Sequence, residues 1–177
     1  SPHGGAARPV PEGLGDHRGT VSPREFDFQT APRRLEGKAK SAGEKLTTID
    51  EANARVRNGH SVALGGCLFS RTPMALMREI LRHRRRGLTL SRNLTCHEGE
   101  MFMAAGAVSR VVTAWMSIGL PGGVSKTLRH YVESGAVALE EWSHLALGLR
   151  FRAGAMGVPF LPALTMLGSD LVGVGGL

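Results

Sequence analysis

The segment Asn58-Gly-His-Ser-Val-Ala-Leu-Gly-Gly-Cys-Leu-Phe-Ser-Arg-Thr-Pro73 decides the fold class of this chain. Its apolar residues predict a short buried strand, Ser61 to Leu64, that runs into the glycine pair Gly65-Gly66. A loop follows, and Pro73 is expected to begin a helix because proline is well tolerated at the first helical position. A strand that ends in glycines before a helix presents backbone N–H groups where α/β proteins bind anionic or carbonyl-bearing ligands. The glycines could also serve only to permit a tight turn.

Outward from this segment, predicted strands alternate with predicted helices. This alternation indicates βαβ units. The predicted fold class is therefore α/β, with an open, mainly parallel sheet and helices on both faces. The predicted strands after the first are residues 87–91, 109–117 and 137–139, with an edge segment at 158–162. The predicted helices are residues 49–57, 73–83, 98–105, 126–134 and 143–155.

The chain divides by composition into a tail and a domain. Residues 1–44 contain five prolines and scattered charges without a periodic apolar pattern, which predicts a disordered or misassigned N-terminal tail. Residues 45–177 are predicted to form one domain. Its last residues, Val172 to Leu177, are typical of an interrupted loop, so we expect this domain to be truncated at its C-terminal end.

Composition restricts the function classes. An apolar fraction of 42% supports a core, and the absence of an apolar run of about 18 residues predicts no membrane partner. Cys67 and Cys96 form no CxxC pair, which argues against a disulfide framework and favours a reducing, cytoplasmic location. The histidines His97, His130 and His144 lack metal-ligand spacing, so no metal is predicted.

The net charge of +7 raises the question of a nucleic-acid partner. The densest basic run, Arg82 to Arg86, lies at the end of a predicted helix, where cations complement the helix dipole and face solvent. Aromatic residues are few and are not interleaved with this run, so no nucleic-acid partner is predicted. A basic surface could still attract an anionic, nucleotide-bearing ligand.

The order of the blocks resembles the A-subunit of the family I coenzyme A-transferases. That family's signature is an Asn/Asp-Gly pair, two arbitrary residues, three apolar residues, Gly-Gly, and a proline seven residues later. Here it reads Asn58-Gly59, Val62-Ala63-Leu64, Gly65-Gly66 and Pro73, and further matches run from Lys45 to Asp170. The Arg71-to-Leu76 stretch is most similar to the glutaconate-type branch and its steroid-ring hydrolase relatives. Two positions depart from the pattern: Cys67 replaces the usual aromatic residue and Arg71 the usual glycine.

The resemblance implies ping-pong transfer of coenzyme A between an acyl-CoA thioester and a carboxylic acid. Coenzyme A would be a substrate, and no permanently bound cofactor is implied. In these enzymes the nucleophilic glutamate lies on a B-subunit, so a B-subunit partner in a heteromer is implied and this chain alone is expected to be inactive. Two alternatives stay open: a ring-opening CoA-thioester hydrolase on the same scaffold, and a non-catalytic acyl-CoA-binding fragment.

The predicted substrate and CoA-binding residues lie in the loop that follows the first strand. Gly65, Gly66 and Cys67 are candidates to donate N–H groups to a thioester oxyanion. Ser70 lies in the same loop, and Arg71 is a candidate to bind a substrate carboxylate. The simpler alternatives are that the glycines permit a turn, that Arg71 points to water, and that the Cys67 side chain fills a small apolar space.

The cluster His97-Glu-Gly-Glu100 follows the second strand, where α/β proteins form their sites. The resemblance to the hydrolase branch makes Glu98 or Glu100 a candidate catalytic residue, as a base toward water or a carbon acid, and Glu98 is the better of the two. The simpler interpretation, which the pattern favours, is that Glu98 and Glu100 begin a helix and complement its dipole.

Overall fold

The computed structural model describes residues 46–118 and 123–174, and within them four strands form one parallel sheet. The strand order is β1-β2-β3-β4, so each crossover leads to the adjacent strand. The strands are β1 (Ser61–Ala63), β2 (Leu88–Thr95), β3 (Val108–Met116) and β4 (Ala138–Glu141). The predicted α/β fold class is confirmed.

Helices connect and flank these strands. Their bounds are α1 (Ile49–Ala54), α2 (Met74–Arg82), α3 (His97–Ala104), α4 (Lys126–Glu133), α5 (His144–Met156) and the short α6 (Leu171–Val174). Thr48 caps α1 with a capping box to Glu51, as the Thr-x-x-Glu spacing indicates. The longest of these helices has 13 residues, and among the described residues no helix is long and apolar enough to cross a membrane.

Two apolar cores lie on opposite faces of the sheet. Val111 and Val112 are neighbours on β3, and their side chains must point to opposite faces. Val111 packs with α2, α3 and α4 through residues such as Met77 and Phe102. Val112 instead packs in the cluster with Leu147 of α5. Helices therefore cover both faces, as predicted.

The strand directions separate two ends of the molecule. Because the strands are parallel, the segments that follow β1, β2 and β3 meet at their common carboxyl edge. The glycine loop, defined as residues 65–72, and the start of α3 both lie at that edge. The exposed basic run ends just before β2 begins at Leu88, so it lies at the opposite edge.

Two sequence predictions differ from the structure, and a third concerns residues outside the described ranges. The prediction of an edge strand at 158–162 is wrong, because these residues form no strand and Pro159 and Pro162 offer no N–H for a ladder. Strand β2 continues four residues beyond its predicted end, to Thr95. The predicted tail, residues 1–44, lies outside the described residues.

A charged cluster at β4 predicts a pH-dependent contribution to stability. The Glu140 carboxylate accepts hydrogen bonds from Trp142 Nε1 at 2.7 Å, from Arg150 Nη1, and from Arg110 Nη1 at 3.2 Å. Burial raises the pKa of Glu140, but these hydrogen bonds and the Arg150 charge outweigh it and hold the pKa below its ordinary value of 4.5. A lowered carboxyl pKa stabilises the fold above the unfolded-state pKa, and this stabilisation is lost as pH falls through the folded-state pKa.

We therefore expect Glu140→Gln to lower the free energy of unfolding by about 1 kcal/mol near pH 7, because charged acceptors form stronger hydrogen bonds than neutral ones. The deficit should shrink as pH falls below about 4.5. Urea unfolding of both proteins across this range checks the prediction. The exposed neighbour Glu141 supplies the control, since Glu141→Gln should change little. A deficit for Glu140→Gln that stays constant with pH would contradict the argument.

Candidate functional site at the carboxyl edge

The glycine loop contains a tight reversal at its tip. Cys67 N–H donates to the Ser70 carbonyl at 3.0 Å, and Ser70 N–H donates to the Cys67 carbonyl at 2.8 Å. Leu68 and Phe69 form the tip, and Leu68 has a φ of 48°. Arg71, just beyond the reversal, has a φ of 60°. Two non-glycine residues in the left-handed region mark a loop whose conformation surrounding contacts must impose.

Gly66 is required by this geometry and Gly65 is not. Gly66 has a φ of 90°, and a Cβ placed on it would lie 2.6 Å from the Ser70 carbonyl oxygen and 2.8 Å from that of Arg71. Both are backbone oxygens, so they cannot move away by a side-chain rotation. A Cβ on Gly65 would meet nothing within 4 Å. The turn-forming explanation therefore accounts for Gly66 but leaves Gly65 unexplained.

The three predicted N–H donors of this loop differ in whether they already donate a hydrogen bond. The Cys67 N–H is already used by the reversal. Among the described residues, the N–H groups of Gly65 and Gly66 donate no hydrogen bond, and both glycines are exposed. The pair is therefore available to an acceptor from a ligand, whereas the Cys67 N–H contributes only by shaping the loop.

Three of the residues predicted to bind substrate are exposed to solvent. Cys67, Ser70 and Arg71 are all exposed, so Cys67 does not fill an apolar space and that interpretation is wrong. Within the described part of the chain, no carboxylate pairs with the Arg71 guanidinium. A free guanidinium at the rim of the loop can bind a carboxylate through two parallel hydrogen bonds.

Glu98 lies beneath the loop in a buried ion pair. It occupies the first turn of α3, as the simpler interpretation predicted, and its side chain is 1% exposed. Its Oε1 accepts from Arg92 Nη1 and, at 3.0 Å, from the Cys96 N–H. Arg92 itself is 0% exposed. Surroundings of this kind favour a structural role for Glu98, since a base must reach the proton it abstracts.

Arg92 connects this pair to the glycine loop. Its Nη2 donates to the Leu68 carbonyl at 3.0 Å and to Thr72 Oγ1 at 3.1 Å. Thr72 Oγ1 donates in turn to the same Leu68 carbonyl at 2.9 Å. One guanidinium thus joins β2, the start of α3 and the tip of the loop.

A second polar group lies nearer the surface of the same edge. Ser125 Oγ, the cap of α4, donates to Glu100 Oε1 at 2.6 Å. The other oxygen of Glu100 lies 3.8 Å from His97 Nδ1, and the His97 side chain is 55% exposed. The His97 ring contacts the Phe69 ring of the glycine loop, with centroids 5.1 Å apart. His97 is therefore an accessible acid–base group beside the loop.

The two cysteines are both free thiols in different surroundings. Burial raises the pKa of the Cys96 thiol, and the nearby Glu98 charge raises it further. Both effects disfavour the thiolate form of Cys96, which is the nucleophilic form of a cysteine. Cys67 remains as an exposed thiol within the loop.

Among the described residues, one group outside the carboxyl edge could hold a metal ion. Asp50, Glu79 and His83 place ligand atoms within 4.8 Å of one another. Glu79 is already paired with Arg82 at 2.8 Å and with His83 at 3.2 Å. The Arg82 charge competes with a cation for the Glu79 carboxylate.

Sequence reasoning missed Arg92, the most buried functional side chain of the edge. The alternation Leu88, Leu90, Arg92 was the available signal, because it places Arg92 on the core face of β2. A charge on a core-facing position requires a buried partner, and Glu98 is the nearest downstream acid. The hydrogen bond from Ser125 to Glu100 has no sequence signature.

The family model described as "Coenzyme A transferase" matches residues 46–174. The chain is 31% identical over 128 residues to the A-subunit of the glutaconate CoA-transferase of Acidaminococcus fermentans. That alignment covers 72% of this chain and 40% of the relative. The chain is 32% identical, over 72% of its length and 44% of the relative, to a cholesterol ring-cleaving hydrolase IpdA subunit of Mycobacterium tuberculosis.

The solved structures agree with the sequence relatives. The crystal structure of glutaconate coenzyme A-transferase from Acidaminococcus fermentans superposes with a TM-score of 0.70 at 30% identity. The match covers 75% of this chain and 42% of that one. The chain therefore spans 40 to 44% of the length of these proteins.

Proposed function

Because this chain belongs to the coenzyme A transferase family, we propose that it is the A-subunit of an enzyme that moves CoA between an acyl-CoA thioester and a carboxylic acid. The observation that carries the proposal is the glycine loop. It presents the unused N–H groups of Gly65 and Gly66 at the carboxyl edge of a parallel sheet. Donors placed in this way stabilise the oxyanion that forms when a thioester carbonyl is attacked.

The nucleophile in this proposal belongs to a B-subunit partner. A glutamate carboxylate of that partner attacks the thioester carbonyl, which gives a mixed anhydride and releases the CoA thiolate. The thiolate then attacks the glutamyl carbonyl, releases the acyl carboxylate and leaves a glutamyl-CoA thioester. The carboxylate of the acceptor acid then attacks the glutamyl-CoA thioester. The same steps in reverse give the new acyl-CoA and regenerate the glutamate. This chain supplies N–H donors to the oxyanions and, through Arg71, a cation for the acid's carboxylate.

The remaining predicted residues take defined places in the proposal. The backbones of Cys67 and Ser70 form the reversal that shapes the loop, and Ser70 is exposed. In this proposal Glu98 is the ion-pair partner of Arg92, which binds the loop. Its predicted role as a base stays a prediction, which Glu98→Gln tests. The basic run at the opposite edge acts only at long range, by attracting the phosphates of CoA.

A CoA-thioester hydrolase is the second candidate, favoured by one specific observation. His97 is accessible beside the glycine loop and lies next to Glu100, which is fixed by Ser125. A histidine oriented in this way can take a proton from water, and hydrolysis requires that step where transfer does not. The similarity to the protein named as a cholesterol ring-cleaving hydrolase subunit supports a hydrolytic reaction on this scaffold.

Co-expression with a B-type chain of the same genome, followed by assay of the purified complex, tests the proposal. The complex is incubated with acetyl-CoA, with and without a panel of free carboxylic acids. A transferase should form new acyl-CoA thioesters only when an acid is present. A hydrolase should release free CoA thiol without any added acid. Each chain assayed alone provides the control and should be inactive.

The outcomes separate the candidates. New thioesters that depend on the acid support the transferase. Thiol release that needs no acid, and that is lost in His97→Gln, supports the hydrolase. A complex that shows neither activity and binds no acyl-CoA would contradict both.

A further inference from the structure

The buried pair of Arg92 and Glu98 is a feature that the proposed chemistry does not require. Neither side chain reaches solvent, and neither can touch a ligand above the loop. Buried ion pairs are generally no better for stability than apolar side chains of similar volume, because both charges lose their hydration. Stability alone therefore gives no reason for a guanidinium at this position.

The contacts of Arg92 indicate what it does instead. Its Nη1 is neutralised by Glu98, and Glu98 is held in turn by the Cys96 N–H. Its Nη2 is directed at the Leu68 carbonyl and the Thr72 hydroxyl, which lie on the two sides of the loop tip. An apolar residue of equal size could fill the space but could form neither of these bonds.

The strained conformation of the glycine loop requires contacts that fix it. Leu68 and Arg71 have positive φ values, which costs conformational energy at each residue. The loop's own bonds, between Cys67 and Ser70 and from Thr72 to Leu68, close the tip on itself. Among the described residues, the Arg92 guanidinium is the side chain whose hydrogen bonds tie this tip to the sheet.

We propose that Arg92 is a positioning residue that fixes the glycine loop against β2, with Glu98 as the counterion that makes its burial possible. Arg92 acts through the loop backbone and touches no substrate. The orientation of the Gly65 and Gly66 N–H groups depends on it. Only that last consequence rests on the proposed function; the anchoring of the loop is a property of the chain itself.

Tryptic cleavage after Arg71 in the purified full-length chain tests the anchoring. Arg71 is exposed within the loop, and the bond is protected only while the loop is ordered. The test variant is Arg92→Met/Glu98→Gln, which leaves no buried charge and retains an acceptor for the Cys96 N–H. Cleavage after Arg57, which is exposed before β1 at the opposite edge, serves as the internal reference.

We expect the double variant to keep a Tm near that of the wild type and to be cleaved after Arg71 about tenfold faster or more, with cleavage after Arg57 unchanged. A tenfold change corresponds to a modest change in the opening equilibrium of the loop. An unchanged rate at Arg71 would overturn the proposal. An equal increase at both sites would also overturn it, because the pair would then stabilise the whole fold without a specific effect on the loop.

Arg92→Lys keeps the proposal testable if the double variant does not fold. This substitution keeps a cation opposite Glu98, but a lysine ammonium lacks the planar fork with which Arg92 also reaches the Leu68 carbonyl and the Thr72 hydroxyl. Faster cleavage after Arg71 at an unchanged Tm supports the proposal, and an unchanged cleavage rate contradicts it. None of these measurements needs CoA or a partner chain, so their failure is distinguishable from failure of the proposed function. In an active complex, the double variant should lower kcat/KM by about 100-fold, the effect of a small misplacement of catalytic donors.

Discussion

Arg92→Met is expected to lower the free energy of unfolding by about 3–5 kcal/mol, the usual cost of removing one partner of a buried ion pair. The Glu98 carboxylate would keep only the Cys96 N–H as a donor while remaining 1% exposed. The Leu68 carbonyl and the Thr72 hydroxyl would lose a donor at the same time. Urea unfolding monitored by circular dichroism measures the effect.

The matched control for this prediction is the charge-free pair. Arg92→Met/Glu98→Gln removes both charges, so most of the loss should be recovered relative to Arg92→Met alone. If the single and double variants were equally unstable, the loss would come from packing around Arg92 and the electrostatic explanation would be wrong.

Gly66→Ala is expected to disable the loop, whereas Gly65→Ala is not. The methyl group added at position 66 would overlap the Ser70 and Arg71 carbonyl oxygens and would be held at a φ of 90°. We expect a loss of about 1–3 kcal/mol in stability from the strained backbone. The loop would have to rearrange, and loss of one oxyanion donor typically lowers kcat by about 10²–10³.

The adjacent glycine makes this comparison specific. Gly65→Ala keeps the backbone N–H, has no positive φ and meets no atom within 4 Å, so stability and kcat should stay near those of the wild type. Activity is measured as CoA exchange in the complex with the B-type chain. Equal activity in the two variants would show that the conformation of Gly66 has no part in the reaction.

The resemblance to the family I coenzyme A-transferase A-subunit is confirmed by the family match and by the glutaconate CoA-transferase structure. The physical basis of that success is the short βα unit at Asn58–Pro73. Its turn residues determine where β1 ends and α2 begins, and the family signature has these residues at the same spacing. The parallel order of the sheet followed from the strict alternation of strand and helix.

The sequence was less informative about the interior of the site. Strand β2 was predicted to end at Ser91, and the next two residues, Arg92 and Asn93, are polar. Arg92 nevertheless continues the core-facing register, since its charge is matched by Glu98 six residues later. The alternation of β2 marks Arg92 as core-facing, but its pairing with Glu98 depends on two elements that meet in space and has no local pattern. The base role of Glu98 stays a prediction.

The loop conformation was also beyond prediction from sequence. Positive φ values are expected at glycine, but here they occur at Leu68 and Arg71 as well. They are imposed by hydrogen bonds from Arg92 and Thr72, which come from outside the tip. As a result, the sequence predicted three N–H donors at Gly65, Gly66 and Cys67, whereas the structure leaves the first two unused.

The central claim is that the glycine loop is where the acyl-CoA thioester binds, and Cys67 is a reporter within it. The exposed Cys67 thiol should react with iodoacetamide, whereas the buried Cys96 should not. The most direct measurement is the alkylation rate of the Cys67 peptide, by mass spectrometry, in the complex with the B-type chain. Acetyl-CoA at about ten times its Kd should slow this rate about tenfold, because only the unbound fraction reacts. A rate that acetyl-CoA leaves unchanged, in a complex that still exchanges CoA, would contradict the account.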